Sequence, residues 1–118
     1  VEKEDQTTEV KICDLGLAIK LESNKRAFAV CGTPGFIAPE ILIGLGHTEK
    51  ADIFSLGSIM FTLLTGTNLI NGETTGDLLE RNQHFKVCNL EQTLEGISAQ
   101  AKDLLCQLLQ EKQTKRVD

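Results

Sequence analysis

The periodicity of apolar and polar positions changes along the chain, and each change predicts a different element of secondary structure. Residues 8–16, TEVKICDLG, place Val10 and Ile12 on one face and Lys11 and Cys13 on the other. This alternation predicts a short strand that ends at Asp14, and a preceding strand would end near Val1. From residue 18 to residue 36 the apolar residues show no regular spacing, which predicts a loop. A loop of that length in a compact domain is usually functional or disordered.

The rest of the chain carries helical patterns. APEIL at 38–42 predicts a short helix with Pro39 in its first turn. Residues 51–65 are apolar on nearly every side, which is typical of a buried helix, and Gly66 is suited to end it. A short helix is expected at 77–82, and ISAQAKDLLCQLL at 97–109 has amphipathic spacing with Ser98 as its N-cap. One amphipathic helix cannot cover the central helix on all sides, so that helix lacks partners.

Composition limits the function classes. The chain has 118 residues, 41% of them hydrophobic and 25% charged, which is ordinary for one globular domain. A net charge of −5 argues against a nucleic-acid partner. No apolar run approaches the roughly 20 residues that a bilayer requires, so no membrane partner is expected. The acidic start VEKED is unlike a signal peptide, and the missing initiator Met predicts a fragment or a processed chain.

Four cysteines are scattered along the chain, at Cys13, Cys31, Cys88 and Cys106. They form no CxxC pair, and no His stands at zinc-ligand spacing from them. We therefore expect reduced thiols that pack as small apolar residues in an intracellular protein of the cytoplasm or the nucleus.

Three motifs in a fixed order carry a family resemblance. CDLGLA at 13–18, CGTPGFIAPEIL at 31–42 and KADIFSLGSIMFTLLTG at 50–66 resemble the eukaryotic protein kinases of the serine/threonine type. The resemblance runs from Val10 to Arg116. It implies a mainly α fold, similar to part of the large C-terminal lobe, with a short pair of β-strands at the N-terminus followed by the activation segment and helices. Residues 1–118 would be a partial kinase domain that begins at the strand before the DLG motif, without the small lobe and the catalytic loop.

The resemblance assigns the metal site to the DLG motif. Asp14 would be the aspartate that holds Mg²⁺ against the phosphates of ATP, since a hard cation prefers carboxylate oxygen. Gly16 would let the segment move between positions. Leu15 replaces the usual Phe, a departure that keeps the packing apolar. From the residues alone, Asp14–Gly16 also fits an ordinary turn after a strand. ATP and Mg²⁺ are the expected cofactors.

The resemblance also assigns a substrate-docking loop. Thr33, in GTPGF, would place its hydroxyl near the attacking alcohol of a protein substrate; its residue type alone equally fits a turn before Pro34. Many kinases carry a phosphorylated Thr where this chain has Ala29. Ser23 is the only hydroxyl residue between Gly16 and Thr33, and a plain loop role is expected for it. We therefore expect that activation does not use the usual site.

Further residues are expected to hold the scaffold. Glu40, of APE, would pair with a buried Arg116, with Lys115 as the alternative because KQTK replaces the family's usual Asp-Pro before that arginine. Asp52 would bond to backbone amides of the catalytic loop. Gly57 would let another backbone approach the central helix.

The resemblance implies part of an ATP-dependent serine/threonine protein kinase, with a protein substrate, ATP and regulatory proteins as partners. The Gly-rich loop, the phosphate-binding lysine and the catalytic aspartate and asparagine are missing, so residues 1–118 alone should be inactive and expose apolar surface. The alternative is a pseudokinase or truncated lobe that acts as a protein-docking or regulatory module. A non-kinase helical domain with chance matches is the third hypothesis.

Overall fold

The chain folds around four α-helices. The computed structural model describes residues 9–90 and 93–118. Within them lie α1 (Pro39–Leu42), α2 (Lys50–Thr65), α3 (Thr75–Gln83) and α4 (Ala99–Leu108), with 3₁₀ turns at Val87–Leu90 and Gln113–Lys115. The expectation of a mainly α fold is confirmed. No helix in these two ranges is both long enough and apolar enough to cross a membrane.

The predicted strand before the DLG motif is wrong for the residues that the structure describes. Residues 9–13 form no strand, and Ile12 is 92% exposed. A strand requires a partner for its backbone groups, and no described segment pairs with this one. The partner predicted near Val1 lies outside the described residues. In the described part of the chain, the β-bridge joins Ala27 to His47, each donating its N–H to the other's carbonyl at 2.9 Å.

The ends of α2 and α4 follow from local sequence. Gly66 has φ 72°, a left-handed conformation that favours glycine, and its N–H donates to the carbonyl of Thr62 at 2.9 Å. The hydroxyl of Ser98 accepts the N–H of Ala101 at 3.3 Å. Both helix-end predictions are confirmed, because each depends on residues within one turn of the end.

Helix α3 begins with a similar cap. The hydroxyl of Thr74 accepts the N–H of Asp77 at 3.1 Å, and the Asp77 carboxylate accepts the N–H of Glu73 at 3.0 Å. The hydrogen bond from Arg81 is the main cause that lowers the pKa of Asp77. The carboxylate therefore stays charged at the N-terminal end of α3, where the helix dipole favours it.

The core forms where α2 packs against α4. Phe54 and Phe61 of α2 are buried with Leu105 and Leu109 of the last helical segment. A Cβ on Gly57 would lie 2.8 Å from Leu109 Cδ2. The expected close approach at Gly57 therefore exists, but a side chain approaches rather than another backbone.

The opposite face of α2 is open to solvent. Leu56, Ile59 and Leu63 are exposed, Leu63 by 81%. Ordinary surfaces carry single exposed apolar residues, whereas a row along one helix indicates a face made for a partner. The described residues leave this face uncovered, as the shortage of partner helices predicted.

Candidate functional site

The DLG motif forms an exposed turn. Asp14 has φ 60°, and its Oδ1 accepts the N–H of Gly16 at 3.3 Å. The N–H of Ala18 then donates to the carbonyl of Leu15 at 3.0 Å. Aspartate tolerates this left-handed conformation because its short side chain can bond to the backbone two residues on. The turn presents an exposed carboxylate to solvent.

The chemistry of Asp14 suits one ligand of a magnesium ion. Mg²⁺ usually keeps several waters and binds through one or two carboxylates together with substrate phosphates. The carboxylate of Asp14 is of this type and is accessible. In the described ranges no group of three or more His, Cys, Asp or Glu side chains could hold a metal ion. Asp14 therefore fits one carboxylate ligand of a metal ion.

The loop that contains Thr33 is anchored through its backbone. Thr33 is exposed, and its carbonyl accepts the N–H of Phe36 at 3.0 Å. The hydroxyls of Ser58 and Ser55, both on α2, donate to the carbonyls of Gly35 at 3.0 Å and Phe36 at 2.7 Å. The loop thus presents the Thr33 side chain from a fixed backbone.

Sequence reasoning missed the polar residues that hold this loop. Asn82, on α3, bonds to the backbone of Gly35 and Ile37. A sequence signal existed for Ser55 and Ser58, which stand three residues apart on a mostly apolar helix. Asn82 gave no such signal, because its partners lie more than forty positions away.

Helix α1 is tied to the end of the chain by a buried ion pair. Glu40 and Arg116 are each 4% exposed. Arg116 Nη1 lies 2.5 Å from Glu40 Oε1, and Nη2 lies 2.8 Å from Oε2. The guanidinium also lies 5.0 Å from the Phe54 ring centroid, in a cation–π contact. Its other N–H groups donate to the carbonyls of Gln110, Lys50 and Glu111.

The structure brings Arg116 to Glu40 and leaves Lys115 exposed. A second basic side chain binds the backbone at the end of the chain: the ammonium of Lys50 donates to the carbonyls of Arg116 at 3.2 Å and Val117 at 2.9 Å. It also pairs with Asp118, and this bond lowers the pKa of the Asp118 carboxyl. Helices α1 and α2 are therefore joined to the C-terminal end through two basic side chains.

Asp52 is not joined to the other site residues. It lies in the first turn of α2 and is exposed, and its carboxylate accepts no hydrogen bond from the residues at 9–90 and 93–118. The catalytic loop expected as its partner does not occur among those residues.

The segment between the two motifs is exposed. Ser23 lies in a turn in which Lys25 N–H donates to Glu22 O at 3.0 Å. Cys13, Cys31 and Cys88 are exposed, and Cys106 is half-buried. The expectation that the thiols pack as small apolar residues is wrong for these three exposed cysteines.

Residues 2–118 match the family model of the protein kinase domain. The chain belongs to the protein kinase family, and its relatives are serine/threonine kinases. A cGMP-dependent protein kinase of Drosophila melanogaster, isozyme 2 forms cD5/T2, is 46% identical over 63 residues, 53% of this chain and 7% of that protein. The probable serine/threonine-protein kinase CCRP1 of Zea mays is 39% identical over 104 residues, 86% of this chain and 16% of that protein.

A third relative has a different description. The inactive serine/threonine-protein kinase PLK5 of Mus musculus is 40% identical over 108 residues, 89% of this chain. The chain spans 17% of the length of that protein, and less than a fifth of each of the three relatives.

Proposed function

We propose that this chain is part of a serine/threonine protein kinase that transfers the γ-phosphate of ATP to serine or threonine of protein substrates. The observation that carries the proposal is the buried pair between Glu40 and Arg116. This pair ties α1, which follows the Thr33 loop, to the C-terminal end of the chain, and Arg116 also bonds to the carbonyl of Lys50 on α2. A substrate loop needs such a rigid support, because phosphoryl transfer depends mainly on positioning and electrostatics.

The roles proposed for the site residues are those that the resemblance to the protein kinases implies. The carboxylate of Asp14 is a ligand for the metal of the nucleotide, and Gly16 allows the turn around it to change position. Bound Mg²⁺ would neutralise the charge on the transferred phosphoryl group. The exposed hydroxyl of Thr33 meets the protein substrate near its attacking alcohol. Asp52 orients the backbone of a catalytic loop, which we place before this segment in an intracellular protein.

The second candidate function is a protein-docking or regulatory module. Two observations favour it: the exposed apolar row on α2, and the relative whose name calls it inactive. Such a module would bind regulatory proteins without transferring phosphate. Asp14 would then have no metal to bind, so the effect of replacing Asp14 on phosphate transfer separates the two candidates.

The test uses the full-length protein that carries this segment, assayed with labelled ATP and a mixed protein substrate. Asp14→Asn removes the anionic ligand at nearly constant volume, and we expect phosphate transfer to fall by roughly a thousandfold. Asp103→Asn is the matched control, because Asp103 is exposed on α4 and its carboxylate accepts a hydrogen bond from the neighbouring Gln107 of the same helix. It should retain wild-type activity.

Two results would contradict the proposal. A wild-type protein that transfers no phosphate favours the docking module. Equal activities of Asp14→Asn and wild type would show that Asp14 is only the turn residue that its local hydrogen bond to Gly16 describes.

A further inference from the structure

Asn82 is a wholly buried amide in the middle of the polar contacts around the Thr33 loop. It lies on α3 and is 0% exposed. Its Oδ1 accepts the N–H of Gly35 at 3.0 Å, and its Nδ2 donates to the carbonyl of Ile37 at 2.6 Å. Burying an amide is unfavourable unless both its donor and its acceptor find partners, and here both do.

The two bonds of Asn82 reach across part of this loop. They join the N–H of Gly35 and the carbonyl of Ile37, two positions later, to the same side-chain amide. One carboxamide therefore binds both backbone groups and fixes the position of the loop along α3. Gly35 has φ 89°, which favours glycine, and a Cβ there would lie 3.3 Å from Leu78 Cδ2 of α3. The loop backbone consequently rests directly on α3.

The same loop is held from the other side by α2. Ser58 donates to the carbonyl of Gly35 and Ser55 to the carbonyl of Phe36. The N–H of Phe36 closes the turn by donating to the carbonyl of Thr33. The backbone at 35–37 is therefore clamped between two helices, and Thr33 stands at the start of that clamped turn.

We propose that Asn82 is a positioning residue for substrate docking: it holds the loop at 33–37 so that the Thr33 hydroxyl meets the protein substrate in one fixed place. This inference rests on the proposed function. Asn82 itself is buried and reaches the loop only through backbone groups, so it acts through Thr33 and not on the substrate. Loss of Asn82 should weaken the binding of the protein substrate and leave ATP binding unchanged.

The first variant to test is Asn82→Leu in the full-length protein. Leucine has a similar size but makes neither hydrogen bond, so the Gly35 N–H loses its acceptor. We expect the KM for a protein substrate to rise about tenfold and the KM for ATP to stay within about twofold. Amide hydrogen exchange of residues 33–37 should accelerate about tenfold, because the loop opens more easily.

A stability-matched control separates positioning from general weakening. Leu105 is wholly buried in the core between α2 and α4, so Leu105→Ala destabilises the fold without touching the loop. We expect it to leave the substrate KM at the wild-type value. The inference is overturned if Asn82→Leu leaves the substrate KM unchanged, or if Leu105→Ala raises it as much.

Asn82→Asp provides a conservative variant with a pH signature. Its carboxylate keeps an acceptor for Gly35 but cannot donate to Ile37, whereas the protonated carboxyl can do both. Burial raises the pKa of such a group, so protonation becomes favourable as the pH falls. The substrate KM of this variant, divided by that of wild type at each pH, should approach one as the pH is lowered. A ratio independent of pH contradicts the inference.

Failure of the proposed function would be recognised separately. A wild-type protein without phosphate transfer overturns that function. Amide exchange of the loop then still tests whether Asn82 holds the loop in place. Faster exchange in Asn82→Leu but not in Leu105→Ala supports the clamp, and equal exchange in both overturns it.

Discussion

At the scale of single residues, Arg116 shows why one side-chain type is required. The guanidinium has five N–H donors in a planar fork, and it meets two oxygens of Glu40 and three backbone carbonyls. A lysine has three donors and no fork, so it could not satisfy the same set. The identity of Arg116 is thus set by geometry as well as by charge.

Loss of Arg116 should be costly because its partner is buried. Arg116→Ala leaves the Glu40 carboxylate without its counter-charge, and we expect the free energy of unfolding to fall by about 3–5 kcal/mol. Urea unfolding of the full-length protein, followed by circular dichroism, measures the change. Arg81→Ala is the control, because Arg81 forms an exposed ion pair with Asp77 and should cost less than about 1 kcal/mol. Equal losses in the two variants would mean that the buried pair adds nothing beyond a surface pair.

At the scale of elements, the contact between α2 and α4 depends on the missing side chain of Gly57. A Cβ there would lie 2.8 Å from Leu109 Cδ2 and 3.0 Å from Leu108 Cβ. Alanine favours a helix interior over glycine by about 1 kcal/mol, so propensity and packing have opposite effects at this position. The contacts are short enough for packing to dominate.

We therefore expect Gly57→Ala to destabilise the protein by about 1–3 kcal/mol, as overpacking usually does. Gly76→Ala, on α3, is the matched control: the nearest described atom to a Cβ there is Thr74 Oγ1, at an ordinary contact distance of 3.8 Å. That variant should be neutral or slightly stabilising. Thermal unfolding compares the two, and a stabilised Gly57→Ala protein would show that α4 can move away without cost.

The elements also show which parts of the fold could be predicted from sequence patterns. The helices were predictable because their periodicity and caps, such as Ser98 and Gly66, involve residues close in sequence. The strand at 10–14 was not, since a strand depends on a distant partner that local alternation does not reveal. Among site residues, the pairing of Glu40 with Arg116 could be proposed from the family resemblance, whereas Asn82 is visible only once α3 lies against the loop.

At the scale of the whole molecule, the described residues cover one side of α2 and leave the other side exposed. The core with α4 is closed around Phe54 and Phe61, while Leu56 and Leu63 remain exposed. An isolated segment with such a face should bind hydrophobic dyes or aggregate. We propose that the kinase domain continues before this segment and that its preceding helices cover the face.

The most direct measurement is to sequence the transcript upstream of the Val1 codon. Our account predicts a catalytic loop with its aspartate and asparagine shortly before Val1, and before that a small lobe with a phosphate-binding lysine. These groups would make Asp14 a working magnesium ligand. A transcript that begins near Val1, or one whose loop lacks the aspartate, would contradict the account and leave the protein-docking module as the better description.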